Sequence, residues 1–196
     1  MGVFELYYNA LYDWAQSQSP KFSINSIRDR IIYEGCATST TEQWFGFNVK
    51  KLWSLFVRGP IALGACVVES ETDFVIAIAR DLNPQQRRIA LTKELMRAFD
   101  APAERATDSE KMRSTFKFLS GTTRTIGSIE ASEGEAFYRV LGVLCPETER
   151  QDYLKQKLSG DVTDYEADFE FAAKLHLPQF VCSTLLDENF IERLEL

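Results

Sequence analysis

"RRIALTKELMRAFD", residues 87–100, is the stretch whose reading decides the fold. Asn83-Pro84 stands just before it, which suits a helix start with Asn as N-cap and Pro at the first helical position. The run that follows is amphipathic and predicts a helix to about Phe99, with Pro102 shortly beyond. Lys93 and Arg97 are four residues apart, so a helix of 3.6 residues per turn presents both on one face. Glu94 lies between them in sequence.

Immediately upstream the pattern changes from helical to extended. "IALGACVVE" (61–69) and "DFVIAIAR" (73–80) are apolar and rich in β-branched residues, and the polar Ser70-Glu71-Thr72 separates them. This predicts an antiparallel strand pair leading into the helix. Farther upstream, Phe4, Tyr7, Leu11 and Trp14 recur at helical spacing and predict a helix from Met1 to about Gln18, ended by Ser19-Pro20. A second helix is expected from about Ser23, carrying Ile24, Ile27, Ile31 and Ile32. A third is expected from Thr41 to Val57, carrying Trp44, Phe45, Leu52, Trp53 and Phe56 and broken by Arg58-Gly59-Pro60.

Downstream, Asp108 is expected to cap a helix to about Leu119, and 120–128 to form a loop. Ser132-x-x-Glu135 has capping-box spacing and predicts a helix ending near Cys145-Pro146. Pro146 opens the next helix, through Leu158, and Ser159-Gly160 is a turn. Thr163 with Glu166 is a second capping box, opening a helix to about Leu175, and a last helix begins near Pro178.

The chain has 196 residues, which fits one domain. It divides into a helical part at 1–60, a core at 61–158 and a helical tail at 159–196. A hydrophobic content of 45% with fourteen Phe is enough for a packed core, which argues against disorder. The net charge of −7 makes a phosphate backbone a poor partner, so nucleic acid is disfavoured. Cys36, Cys66, Cys145 and Cys182 form no CxxC pair; they read as reduced, buried thiols of a cytoplasmic protein. The N-terminus lacks the features of a secretion signal, and Leu6 stands where myristoylation would want Ser or Thr. No apolar run approaches the roughly 18 residues that span a membrane. Serine-hydrolase, P-loop and dinucleotide signatures are missing.

The order of these elements resembles the ImmA/IrrE-type zinc metallopeptidase domain. "RIALTKELMR" (88–97) falls on that family's metal helix, which reads roughly R-F-T-L-A-H-E-L-G-H. "EAFYRVLGVLCP" (135–146) falls on a later family helix, and "YEADFEFAAKLHLP" (165–178) looks like its helix-turn-helix-like tail. The three blocks span about 110 residues in the family's order. The resemblance implies an α+β, mostly helical, zincin-like fold with a small antiparallel sheet. It places Lys93 and Arg97 at the two histidine positions, Glu94 at the general base and Glu135 at the third ligand.

Two histidines four apart on a helix can both reach one metal, and a glutamate beside them can act as base on the metal-bound water. Arginine stays protonated and lysine is normally an ammonium, so neither offers a lone pair. His176 is the only histidine in the chain. A tight metal site is therefore not expected, and neither is a cofactor. Three readings of the degenerate site stand side by side. Glu94 and Arg97 can form an ordinary helical ion pair. Alternatively, Lys93 and Arg97 can pair with Glu94 and Glu135 and cross-link two helices. Glu94 alone can retain residual catalysis. Glu135 is also explained by its capping box, and His176 by a helix end. The aromatics Trp44, Phe45, Phe47, Trp53 and Phe56 are core residues or, where exposed, a protein-binding surface.

The expected function is that of a non-catalytic, metallopeptidase-like protein of bacterial or phage origin, regulatory, acting by protein or peptide binding. One alternative is a hydrolase using a metal at displaced carboxylates such as Glu94, Glu133 and Glu135. Another is a DNA-binding regulator working through the tail, although "PQFVCSTLLDE" (178–188) offers no Arg or Lys to read bases.

Overall fold

The computed structural model describes residues 3–35, 37, 39–45, 64–68, 73–79, 82–99, 128–160 and 163–194. The described part is mostly helical. Seven α-helices are described: α1 (Val3–Gln16), α2 (Ile24–Tyr33), α3 (Pro84–Met96), α4 (Ser128–Leu144), α5 (Glu147–Ser159), α6 (Asp164–Leu175) and α7 (Cys182–Leu185). Three strands, β1 (Ser39–Phe45), β2 (Gly64–Val68) and β3 (Asp73–Ala79), form a sheet in the order β1-β3-β2. No described helix is long and apolar enough to cross a membrane.

The amphipathic helices bury the faces their spacing predicts. α1 turns Tyr8, Leu11 and Ala15 inward, and α2 turns in Ile27 and Ile31. Ser23 caps α2, its side chain accepting from the Ser26 amide at 3.1 Å. Asn83 caps α3 in the same way, accepting from Gln86 N at 2.8 Å, while Gln86 Oε1 accepts from Asn83 N at 3.1 Å. Gly160 ends α5 with φ 70°, a left-handed turn that glycine adopts without penalty. The Thr163–Glu166 capping box opens α6, which ends at Leu175.

Four expectations from sequence need correction. Residues 41–45 are not helical: they belong to β1, paired in parallel with β3, Thr41 opposite Val75 and Trp44 opposite Ile78. Thr40, Thr41, Trp44 and Phe45 suit a pleated strand, and a non-local ladder overrode the helical spacing. The remainder of the expected helix, 46–57, lies outside the described residues. The sheet is accordingly mixed: β2 is antiparallel to β3, Cys66 facing Ile76, but β1 is parallel. α4 begins at Ser128, so Ser132 and Glu135 lie inside the helix and are not its capping box. α3 ends at Met96 and passes into a 3-10 turn, Arg97–Phe99, where an α-helix to Phe99 was expected. The expected helix at 108–119 and nearly all of the following loop fall outside the described residues.

α5 starts at an N-cap, Pro146, that supplies no side-chain hydrogen bond. Gln16 of α1 does that work from a distance. Its amide oxygen accepts from Glu147 N at 2.6 Å and its nitrogen donates to Gly142 O at 3.2 Å. One side chain thus fastens α1 to the junction of α4 and α5.

Candidate functional site

α3 runs through the middle of the described core. It packs against α2, α4, β2 and β3, and every residue from Arg88 to Met96 is buried. The amphipathic face expected from sequence is therefore absent: from Arg88 to Met96 this helix is buried all round, and only its first turn is open. Its polar residues Arg88, Thr92, Lys93 and Glu94 must find partners within the protein.

Lys93 and Glu94 find each other. Nζ of Lys93 lies 3.4 Å from Oε1 of Glu94, and the side chains are 7% and 2% exposed. Thr92 turns its hydroxyl back onto Arg88 O at 2.8 Å, the usual way a buried helical threonine satisfies its donor. Arg97 lies in the 3-10 turn after the helix. Its side chain, like those of Glu133 and Glu135, lies outside the described residues. α4, which carries Glu133 and Glu135, packs directly on α3. The fold thus brings together the two helices that the sequence singled out, and it seats Lys93 and Glu94 deep in the core. Among the described residues no three of His, Cys, Asp and Glu form a metal-ligand group.

Arg88 is a residue that sequence reasoning passed over. It is 93% buried by its 7% exposure, donates from Nη1 to Phe22 O at 2.7 Å and stacks over the Phe22 ring at 5.3 Å. Nε and Nη2 have no hydrogen-bond partner among the described residues. Burial lowers its pKa to about 10. No local signal in the sequence marks it, since Arg87, Thr92, Lys93 and Glu94 stand in the same run. A cavity of about 330 Å³ opens above it, walled by the first residues of α2 and α3 and by His176. His176 is exposed and ends α6 in the left-handed conformation, φ 55°.

The tail is tied down by charge. Arg150 grips Glu147 through Nε at 2.8 Å and Nη2 at 3.0 Å, and Nη1 reaches Leu185 O at 3.0 Å. Asp168 accepts from Tyr153 Oη at 2.5 Å and from Lys157 Nζ at 2.9 Å. Burial works against the Asp168 carboxylate, but these two donors prevail and its pKa is lowered. Burial pushes the thiol of Cys182 up to about 11, and that of Cys145 higher still, so neither is poised as a nucleophile. Both are free and buried. In contrast, Tyr165, Phe169 and Phe180 are 67%, 58% and 41% exposed. Tyr165 and Phe169 sit one turn apart on α6, and Gln179 Nε2 donates to Tyr165 O at 3.4 Å, drawing the turn that carries Phe180 alongside.

No protein-family model and no curated protein matches this chain.

Proposed function

We propose that this is a non-catalytic protein resembling the ImmA/IrrE-type metallopeptidases, regulatory and cytoplasmic, that acts by binding another protein. The observation that carries the non-catalytic half is the Lys93–Glu94 contact of 3.4 Å in the enclosed part of α3. At the position of the first histidine stands an ammonium. It lies against the carboxylate that the family uses as base. A buried carboxylate held by a lysine is a structural group, and breaking such a pair costs more than it releases.

The binding half is supported by the tail. Between 163 and 194 there are seven acidic residues against Lys174 and Arg193. Exposed Tyr165 and Phe169 stand among exposed Glu166 and Glu170. An apolar patch with acidic neighbours complements a partner segment carrying Lys or Arg beside apolar side chains.

The deciding experiment is elemental analysis of protein purified without chelator, with melting recorded with and without EDTA. A metal bound only to the folded state must raise stability with occupancy. The expected result is substoichiometric zinc and an unchanged melt. About one zinc per chain, with a lower melt in EDTA, would overturn the reading in favour of a hydrolase.

A further inference from the structure

The exposed side of α6 is ordered as well as apolar. Tyr165, Phe169 and Ala173 are exposed and stand four residues apart, and exposed His176 follows three later. At about 100° per residue these four share one stripe along the helix. Ala167, Phe171, Ala172 and Leu175 are buried on the opposite side. α6 is thus apolar on two faces, and the described residues cover only one of them.

The two borders of the stripe differ. On one, each aromatic is followed directly by an exposed glutamate, Glu166 after Tyr165 and Glu170 after Phe169. Glu170 makes no ion pair among the described residues. It also lines a groove of about 150 Å³ between α5 and α6, with Glu149, Asp152 and Lys174. Lys174 is the one cation there, and Glu149 engages it. On the other border, Gln179 Nε2 donates to Tyr165 O at 3.4 Å and holds the turn that carries half-exposed Phe180. The stripe therefore has an acidic border and an aromatic border.

We propose that this stripe docks an amphipathic α-helix of another protein, with large apolar side chains at three- and four-residue spacing and Lys or Arg along one flank only. The inference rests on the binding reading above and gives the partner's segment a conformation and a side for its charge. α6 forms its backbone bonds within itself, so this face offers no strand edge to pair with. A helix brings a backbone that is already satisfied and gives up no hydrogen bonds to water there. Its side-chain rows can pack between Tyr165, Phe169 and Ala173, which repeat about every 6 Å. Basic side chains on one flank meet Glu166, Glu170 and the carboxylates of the groove. A second copy of this chain fits poorly. An antiparallel two-fold pairing of α6 sets Glu166 and Glu170 against the same two residues of the other copy. A parallel one sets them against 178–184, which holds no Lys or Arg.

The test is a titration of the full chain into a fluorescent peptide of about 20 residues, long enough to form a helix. The peptide carries Leu at i, i+4, i+7 and i+11, Arg on one flank, and Ala and Gln elsewhere. One control has the same composition with Leu and Arg alternating, the period of a strand. A second has Glu in place of Arg. The helical peptide is expected to bind saturably and to gain helical circular dichroism, and both controls to bind about tenfold more weakly. Phe169→Ser and Glu170→Lys, both at exposed positions, should leave the melt unchanged and each weaken binding about tenfold. Equal binding of the alternating peptide, or undiminished binding by both variants, would overturn the inference. Self-association of the chain that Phe169→Ser abolishes would overturn it too, by assigning the face to a second copy. Mass spectrometry of the peptide after incubation separates the two levels of failure. An intact, unbound peptide ends the helix inference alone, whereas a cut peptide ends the non-catalytic reading and this inference with it.

Discussion

Lys93 and Glu94 are neighbours in sequence, and their charges lie 3.4 Å apart inside the core. Adjacent residues on a helix point about 100° apart, so they do not normally pair. Burial of α3 from Arg88 to Met96 leaves the two long side chains to bend toward each other. Removing one member takes this partner from the other in a medium that solvates it poorly. Glu94→Ala is expected to cost about 3–5 kcal/mol in urea unfolding. The double variant Lys93→Met/Glu94→Leu should recover most of that loss. A double variant no more stable than Glu94→Ala would show that the pair is not the source of the cost.

Gly142 in α4 leaves only tight room for a side chain. A Cβ there would lie 3.0 Å from Leu194 Cδ2 and 3.1 Å from Tyr8 Oη. Leu194 and Tyr8 are 0% and 1% exposed, so neither can yield easily. Replacing a helical glycine by alanine gains about 1 kcal/mol of propensity, whereas overpacking costs about 1–3 kcal/mol. Gly142→Ala is therefore expected to lower Tm by about 2–4 °C for each kcal/mol of net loss. In combination with Leu194→Ala, the two losses should be less than additive. Strict additivity would contradict the contact.

Tyr153 holds Asp168 in its ionised form, and the pKa of Asp168 is lowered. A carboxyl lowered in the folded state contributes stability above its unfolded value, about 3.9. That stability is lost as pH falls through the lower folded value. Tyr153→Phe removes a charge-assisted bond worth about 1.5–3 kcal/mol at neutral pH, although the ring keeps its stack on Phe171 at 4.0 Å. The acid transition, followed by circular dichroism, should move to higher pH. An unchanged transition would mean that Lys157 alone keeps Asp168 charged.

The Tyr165–Phe169 patch is open to direct test in cells. A photo-crosslinking residue placed at 169 is expected to trap a partner through a segment rich in Lys or Arg and apolar residues. Glu170→Lys, at an exposed position clear of the Thr163–Glu166 capping box, should abolish the adduct while lowering stability by no more than about 0.5 kcal/mol. An adduct that survives the charge reversal would rule out charge complementarity as the basis of recognition.

The local signals in this sequence were legible because each depends on a few neighbouring residues. Asn83-Pro84, Ser23, Thr163 with Glu166, and Gly160 all marked helix ends that the structure keeps. Such signals work through bonds spanning three or four residues, so the chain carries them wherever it goes. The candidate site was legible only in part. Lys93 and Glu94 were singled out by the resemblance of 88–97 to a metal-binding helix, whereas Arg88 was overlooked because nothing local distinguishes a buried arginine from an exposed one.

By itself the sequence determined the order of most helices, the extended character of β2 and β3, and the absence of imidazole pairs from α3. The tertiary structure decided the rest. Residues 41–45 became a strand because β3, more than thirty residues later, offered a parallel ladder. Gln16 caps α5 across 131 residues, and Arg88 reaches Phe22 across 66. Those contacts depend on which surfaces meet after the chain has collapsed. Their strength depends on the low-dielectric interior that distant segments build together, a condition that no short window of sequence contains.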